Sequence, residues 1–169
     1  MKKAALFAAT LLAMTACNNQ NPFIAEWDTP YGIPPFDKIQ EAHYIPAIKA
    51  GIEQQLQEID AIIANQETPD FENTIAALDR SGEILEKVTN VLFNVSESDA
   101  TESLNAIVDE AMPMVTEHSD NIFMNADLFA RVKAVYDADQ SNLTREQQML
   151  LKDYYDSFVN NGIGLPADQ

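Results

Sequence analysis

The stretch Thr68–Ser98, TPDFENTIAALDRSGEILEKVTNVLFNVSES, decides the fold. Phe71, Ile75, Leu78, Gly82, Leu85, Val88, Leu92 and Val95 recur at spacings of three and four. That spacing predicts one apolar stripe along about seven turns of continuous helix. Thr68 or Asp70 suits the cap, and Pro69 suits a first turn, where its missing N–H costs nothing. Alternation by two is absent, so no strand fits. A helix this long needs partners on its apolar side.

The flanking segments supply them. Upstream, a helix with Pro46 in its first turn is expected to run to about Asn65. It carries Ile45, Ile48, Ile52, Leu56, Ile59 and Ile62 or Ile63 on one side. Glu53, Gln54, Gln57, Glu58 and Asp60 form its solvated face. The short Asn65–Thr68 connection makes these two helices antiparallel neighbours. Downstream, a third helix is read from about Glu102 to Met124, with Pro113 kinking or splitting it. A fourth runs roughly from Asp127 to Ala138 on Leu128, Val132, Val135 and Tyr136. A fifth starts at Thr144, with Glu146 or Gln147 behind the cap, and ends near Asn160, before Gly162 and Gly164. The expected fold class is all-α, an antiparallel bundle of about five helices.

With 169 residues, 46% of them apolar and only 5 glycines, the chain suits one domain, long enough for a real core and not loop-rich or all-β. The net charge of −17, from 27 acidic and 10 basic side chains, repels phosphate backbones and excludes nucleic acid as a partner.

Residues 1–16 read as a signal peptide: Lys2 and Lys3 precede the apolar run Ala4–Met14, which is too short to span a bilayer. Thr15-Ala16-Cys17 resembles a bacterial lipobox, with Met14 where leucine is usual. Cys17 is then the expected lipid attachment site; the alternatives are an ordinary secretory signal with an incidental cysteine or an N-terminal anchor that is never cleaved. Cys17 is the only cysteine, so no internal disulfide can form. The expected address is the cell envelope. Asn18 and Asn19 lack an inner-membrane retention aspartate and favour the outer membrane. Residues 17–33 are expected as the lipidated cysteine and a tether, with Trp27 docking on the body. Residues 34–169 are the helical region, opened by Pro34-Pro35-Phe36 and a turn at Asp37.

Candidate chemistry is sparse. His43 and His118 lie 75 positions apart, and no His-x-x-x-His pair exists for a helical zinc site. His118 continues an apolar stripe and reads as a core histidine, whereas His43 reads as a capping or loop contact. Ser81 and Ser96 have no base or sharp turn beside them. Asp137, Asp139 and Ser141 begin like a calcium loop, but Asn142 replaces its glycine and Gln148 its bidentate glutamate. Asp79, Glu83 and Glu86 are spaced for an acid–base set, but read as a solvated face. Asn94 and Asn142 match a glycosylation pattern that a bacterial lipoprotein would not use. The residues nominate no catalytic group and no metal ligand.

The segments IPPFDKIQEAHYIPAIKAGIEQQLQEIDAI, TPDFENTIAALDRSGEIL, DLFARVKAVYD and LLKDYYDSFVNNGIGL, in this order, resemble the N-terminal region of the thimet oligopeptidase group of zinc peptidases. That group includes oligopeptidase A and bacterial peptidyl-dipeptidase, the dipeptidyl carboxypeptidases. The resemblance covers the chain from about Pro34 onward. It implies a larger, mostly helical enzyme with a deep channel, cleaving short unstructured peptides. It also implies a zinc held by a His-Glu-x-x-His helix and a later glutamate, all downstream of the matched region. The chain is therefore expected to end before the catalytic region and to be inactive alone. The alternative is a stand-alone acidic helical envelope lipoprotein acting as a binding module, or a remnant without function.

Overall fold

The computed structural model describes residues 21–163. Among them there is no strand, and the long helices are α1 (Tyr44–Ala64), α3 (Glu83–Ser98), α4 (Glu102–Phe123), α5 (Ala126–Asp137) and α6 (Arg145–Asn160). A π-helical turn, Phe71–Ala76, leads into a short α2 (Ala77–Asp79). The all-α bundle is the observed architecture.

The Thr68–Ser98 stretch is not one helix. It breaks at Gly82, whose φ of 79° ends the run from Phe71 and starts α3 at Glu83. Only glycine adopts this left-handed geometry without a steric cost. Its apolar stripe survives the break, because both halves face the same neighbour: Ile75, Leu78, Leu85, Val88 and Leu92 are all buried. Asp70 caps the first half, accepting from Asn73 N at 2.7 Å while Asn73 Oδ1 accepts from Asp70 N at 3.0 Å. Pro69 thus precedes the cap instead of occupying the first turn.

Helix α1 packs most extensively on α3 and also reaches α4 and α5. Gly51 of α1 meets Leu85, and Glu58 meets Gly82, so chain order reverses across the pair and the helices are antiparallel. The approach is close: a Cβ on Gly51 would lie 2.7 Å from Leu85 N. Ser103 on α4 donates to Glu41 and His118 bonds Gln55, which sets α4 parallel to α1.

Two hydrophobic cores result. One joins Phe23, Tyr44 and Ile48 to Val88, Leu92, Leu104 and Ala111. The other joins Ile59, Ile62 and Ile75 to Leu128, Val132, Leu151 and Phe158. Phe158 sits against Phe123 and Phe129, and Tyr136 stacks on Tyr155 at 3.9 Å.

Three other details differ from the sequence reading. Pro113 does not split α4, which runs through it. Pro113 and Asp109, whose carbonyl loses its helical partner, are both exposed, so that carbonyl is left on the solvent side. Leu56, placed on the apolar side of α1, is exposed. Within the stretch expected as tether, residues 21–27 are docked on the body. Phe23 is fully buried against Tyr44, and Asn21 Nδ2 donates to His43 O at 2.7 Å. Trp27 Nε1 donates to Pro22 O at 2.8 Å and lies beneath Lys87. Cys17 and the signal segment lie outside the described residues.

Candidate functional site

Between the two cores lies a polar waist built around the Gly82 break. Gly82 has no side chain to cap α3, and Glu58 of α1 does so instead, its Oε2 accepting from Gly82 N at 2.8 Å. A carboxylate suits this place because the N-terminus of α3 carries partial positive charge. Glu58 thus turns inward from the face on which spacing placed it. Gln55, one turn earlier, lies over Gly82, where a Cβ would sit 2.5 Å from its amide carbon.

Gln55 joins the two residues that a nucleophilic mechanism would need in direct contact. Its Nε2 donates to Ser81 Oγ at 3.1 Å, and its Oε1 takes His118 Nε2 at 2.8 Å. That arrangement places the neutral imidazole's proton on Nε2. Ser81 Oγ donates in turn to Leu78 O at 2.7 Å. An amide separates serine from histidine, so no base activates this hydroxyl. His118 is buried, and burial lowers its pKa from the ordinary 6.5. A cavity of about 220 Å³ adjoins these groups, with Asp79 and Tyr154 also in its wall. Tyr154 Oη donates to Asp79 Oδ1 at 3.2 Å, and burial followed by the Asp79 charge raises the phenol's pKa.

The remaining candidates disperse. His43 Nδ1 accepts from Gln40 N at 3.0 Å in the turn that precedes α1, a local capping contact away from Gln55, where His118 of α4 meets α1. Asp79 accepts from Tyr154, Glu83 pairs with Lys87, and Glu86 lines the same groove as Glu83, with no hydrogen bond joining the three carboxylates. Asp139 accepts from Ser141 N and Oγ, both at 2.9 Å, and these bonds hold its carboxyl below the usual range. Asp137 turns away to Lys133. Ser96 Oγ donates back to Phe93 O, and Asn94 to Asn90 O.

Among the described residues, no group of three or more His, Cys, Asp and Glu side chains is disposed to hold a metal ion. With one histidine bonded in the core and the other in a cap, these residues do not fit a zinc centre. No catalytic step can be derived through zinc on them.

A second polar cluster escaped the sequence reading. Arg131 of α5 is buried, donating from Nη1 to Asn65 O at 2.7 Å and from Nη2 to Asn73 Oδ1 at 3.1 Å. No carboxylate faces it among the described residues. The partial negative charge at the C-terminus of α1, carried by the Asn65 carbonyl, takes that place. Asn73 also donates to Thr68 O at 2.9 Å and accepts from the buried Thr74 hydroxyl at 2.8 Å. One guanidinium thus ties the end of α1, the π-turn and α5 together. The visible signal was a charged residue inside the Leu128–Val132–Val135 stripe.

This cluster joins two segments far apart in the chain, FENTI and DLFARV. No protein-family model matches the chain. Individual relatives do. Over 146 residues, 86% of the chain, it is 38% identical to dipeptidyl carboxypeptidase of Escherichia coli K12. Over 149 residues it is 35% identical to the dipeptidyl carboxypeptidase of Salmonella typhimurium. Oligopeptidase A of Escherichia coli K12 is more distant, 21% identical over 142 residues.

The fold is thus an all-α bundle in a chain whose sequence is similar to peptidases. The chain matches a partial region of the dipeptidyl carboxypeptidases and, more distantly, of oligopeptidase A. It spans about a fifth of the length of the curated relatives it matches, 21% of the first and 22% of the second. Nothing in these likenesses supports a stand-alone lipoprotein binding module.

Proposed function

We propose that this chain is the N-terminal helical part of a zinc peptidyl-dipeptidase that removes C-terminal dipeptides from short unstructured peptides. The carrying observation is the 38% identity to a dipeptidyl carboxypeptidase over 86% of the chain. The zinc and the groups that activate water belong to residues of the parent outside this segment. The described residues supply a wall for the peptide channel, stiffened by the Arg131 cluster and by the Glu58 cap on α3. Purified residues 18–169, given a quenched oligopeptide and added zinc, should show no metal-dependent turnover. Metal-dependent turnover would mean that this segment carries its own site. Sequencing the gene beyond Gln169 should reveal an open frame leading to His-Glu-x-x-His; an immediate stop codon would overturn the peptidase reading in favour of a module or remnant.

The same proposal places the protein in the cell envelope, on the outer membrane, held by lipid on Cys17. Its support is the basic, apolar and small-residue order that ends at the only cysteine. Several acyl chains on one cysteine hold a protein firmly where a single chain would not. Metabolic labelling with a fatty-acid analogue should mark the protein, and an unlabelled product would refute lipidation.

A further inference from the structure

Nine large apolar side chains are exposed among the described residues, and four of them lie in the N-terminal arm: Ile24, Tyr31, Ile33 and Phe36. Tyr31 is the extreme case, 100% exposed and with a φ of 61°. A bulky aromatic residue avoids the left-handed region unless the surrounding structure imposes it. Here the turn imposes it. Gly32 N donates to Thr29 O at 3.1 Å, and Thr29 Oγ1 donates to Ile33 O at 2.5 Å. The chain therefore holds a strained turn that presents a tyrosine wholly to the outside. The packing of this body does not use that ring.

The arm is also fixed in place by the buried Phe23, by Asn21 on His43 and by Trp27 on Pro22. Only Asn18–Gln20 separate Cys17 from Asn21. A fully extended chain spans at most about 14 Å over those four steps. Lipid on Cys17 would thus hold this end of the molecule at the bilayer surface. The far end of α1 lies about 30 Å away along its 21 residues.

We propose that the arm, through Tyr31, Ile33 and Phe36, is a membrane-seating surface that inserts into the interfacial zone of a phospholipid bilayer. The proposal rests on lipid attachment at Cys17. Tyrosine suits that zone because its ring is apolar and its hydroxyl remains with the headgroups. The arm's charges, Glu26, Asp28, Asp37 and Lys38, give no basic patch, and the chain's net charge is −17. Attraction to anionic lipid therefore plays no part, and the contact is apolar. Seating orients the bundle with its second core, containing α5 and α6, away from the membrane.

The processed protein, isolated from the envelope and reconstituted in phosphatidylcholine vesicles, tests this. Acylation blocks the Cys17 thiol, the only one among these 169 residues, so Tyr31→Cys introduces a new labelling site for a nitrobenzoxadiazole probe, with the unsubstituted protein as the background control. Ile33→Cys gives a second reporter that leaves the strained residue intact, and Met149→Cys on α6 gives the distal control. Brominated lipid should quench positions 31 and 33 several-fold more than position 149. Equal, weak quenching at all three positions would overturn the seating surface while leaving the anchor intact. Quenching that appears only with phosphatidylglycerol would overturn its apolar basis. Mass spectrometry of the wild-type protein separates the premises: an unmodified Cys17 overturns the anchor and the seating together.

Discussion

The two cores of this bundle are built differently. The one around Phe23, Tyr44, Ile48, Val88 and Leu92 is helix laid on helix, brought close because Gly51 has no side chain to hold Leu85 away. The one around Ile75, Leu128, Val132, Leu151 and Phe158 also holds a buried guanidinium that ties three elements together by hydrogen bonds. Close packing tolerates exchange of apolar side chains of similar volume, whereas a buried polar cluster fails when one member is lost. This difference sets the FENTI and DLFARV segments apart from the rest of the packing. Their polar residues, Asn73, Thr74 and Arg131, have partners that few other side chains could satisfy.

The largest test of that contrast is Phe158→Ala. Phe158 is fully buried against two other phenyl rings, and its loss should cost about 4 kcal/mol. Hydrogen exchange should then show α5 and α6 opening while the α1–α3 contact near Gly51 stays protected. Simultaneous loss of protection everywhere would mean one cooperative core. Arg131→Met should cost about 3 kcal/mol in urea unfolding, since charge-assisted bonds disappear and buried acceptors lose their partner. Arg131→Lys should not restore stability, because an ammonium cannot fork between Asn65 and Asn73.

At the waist, Gly82→Ala should cost about 2 kcal/mol, from left-handed strain plus contact with the Gln55 amide. A neutral result would show that the break between the two halves is not fixed by residue 82. The smallest effect is pH dependence. Burial lowers the His118 pKa, so the unfolded chain binds more protons as pH falls below 6.5. The stability contributed by neutral His118 should be complete above pH 6.5 and be lost as pH falls through the lowered native value. His118→Gln should flatten that limb of the profile in urea melts; an unchanged slope would assign it to other groups.

Local pattern alone carried five helices, their order, the cap at Thr144, the antiparallel α1–α3 pairing and His118 as a core residue. These follow from periodicity and short connections, which are properties of neighbouring residues. The π-turn and the Gly82 break were not legible, since the apolar stripe passes through both without losing its period. Their causes lie across the bundle, in Glu58 and Gln55 on α1 and in Arg131 on α5, tens of residues away. The docking of Phe23 and the exposure of Tyr31 were hidden for the same reason. A segment without periodicity gives no sign of whether it meets a pocket. The sequence by itself determined the helices, the acidic character and the kinship to peptidases. Tertiary structure alone decided where the longest stripe bends, which charges turn inward and which face of the arm is left to the outside, because each depends on atoms brought together only by folding.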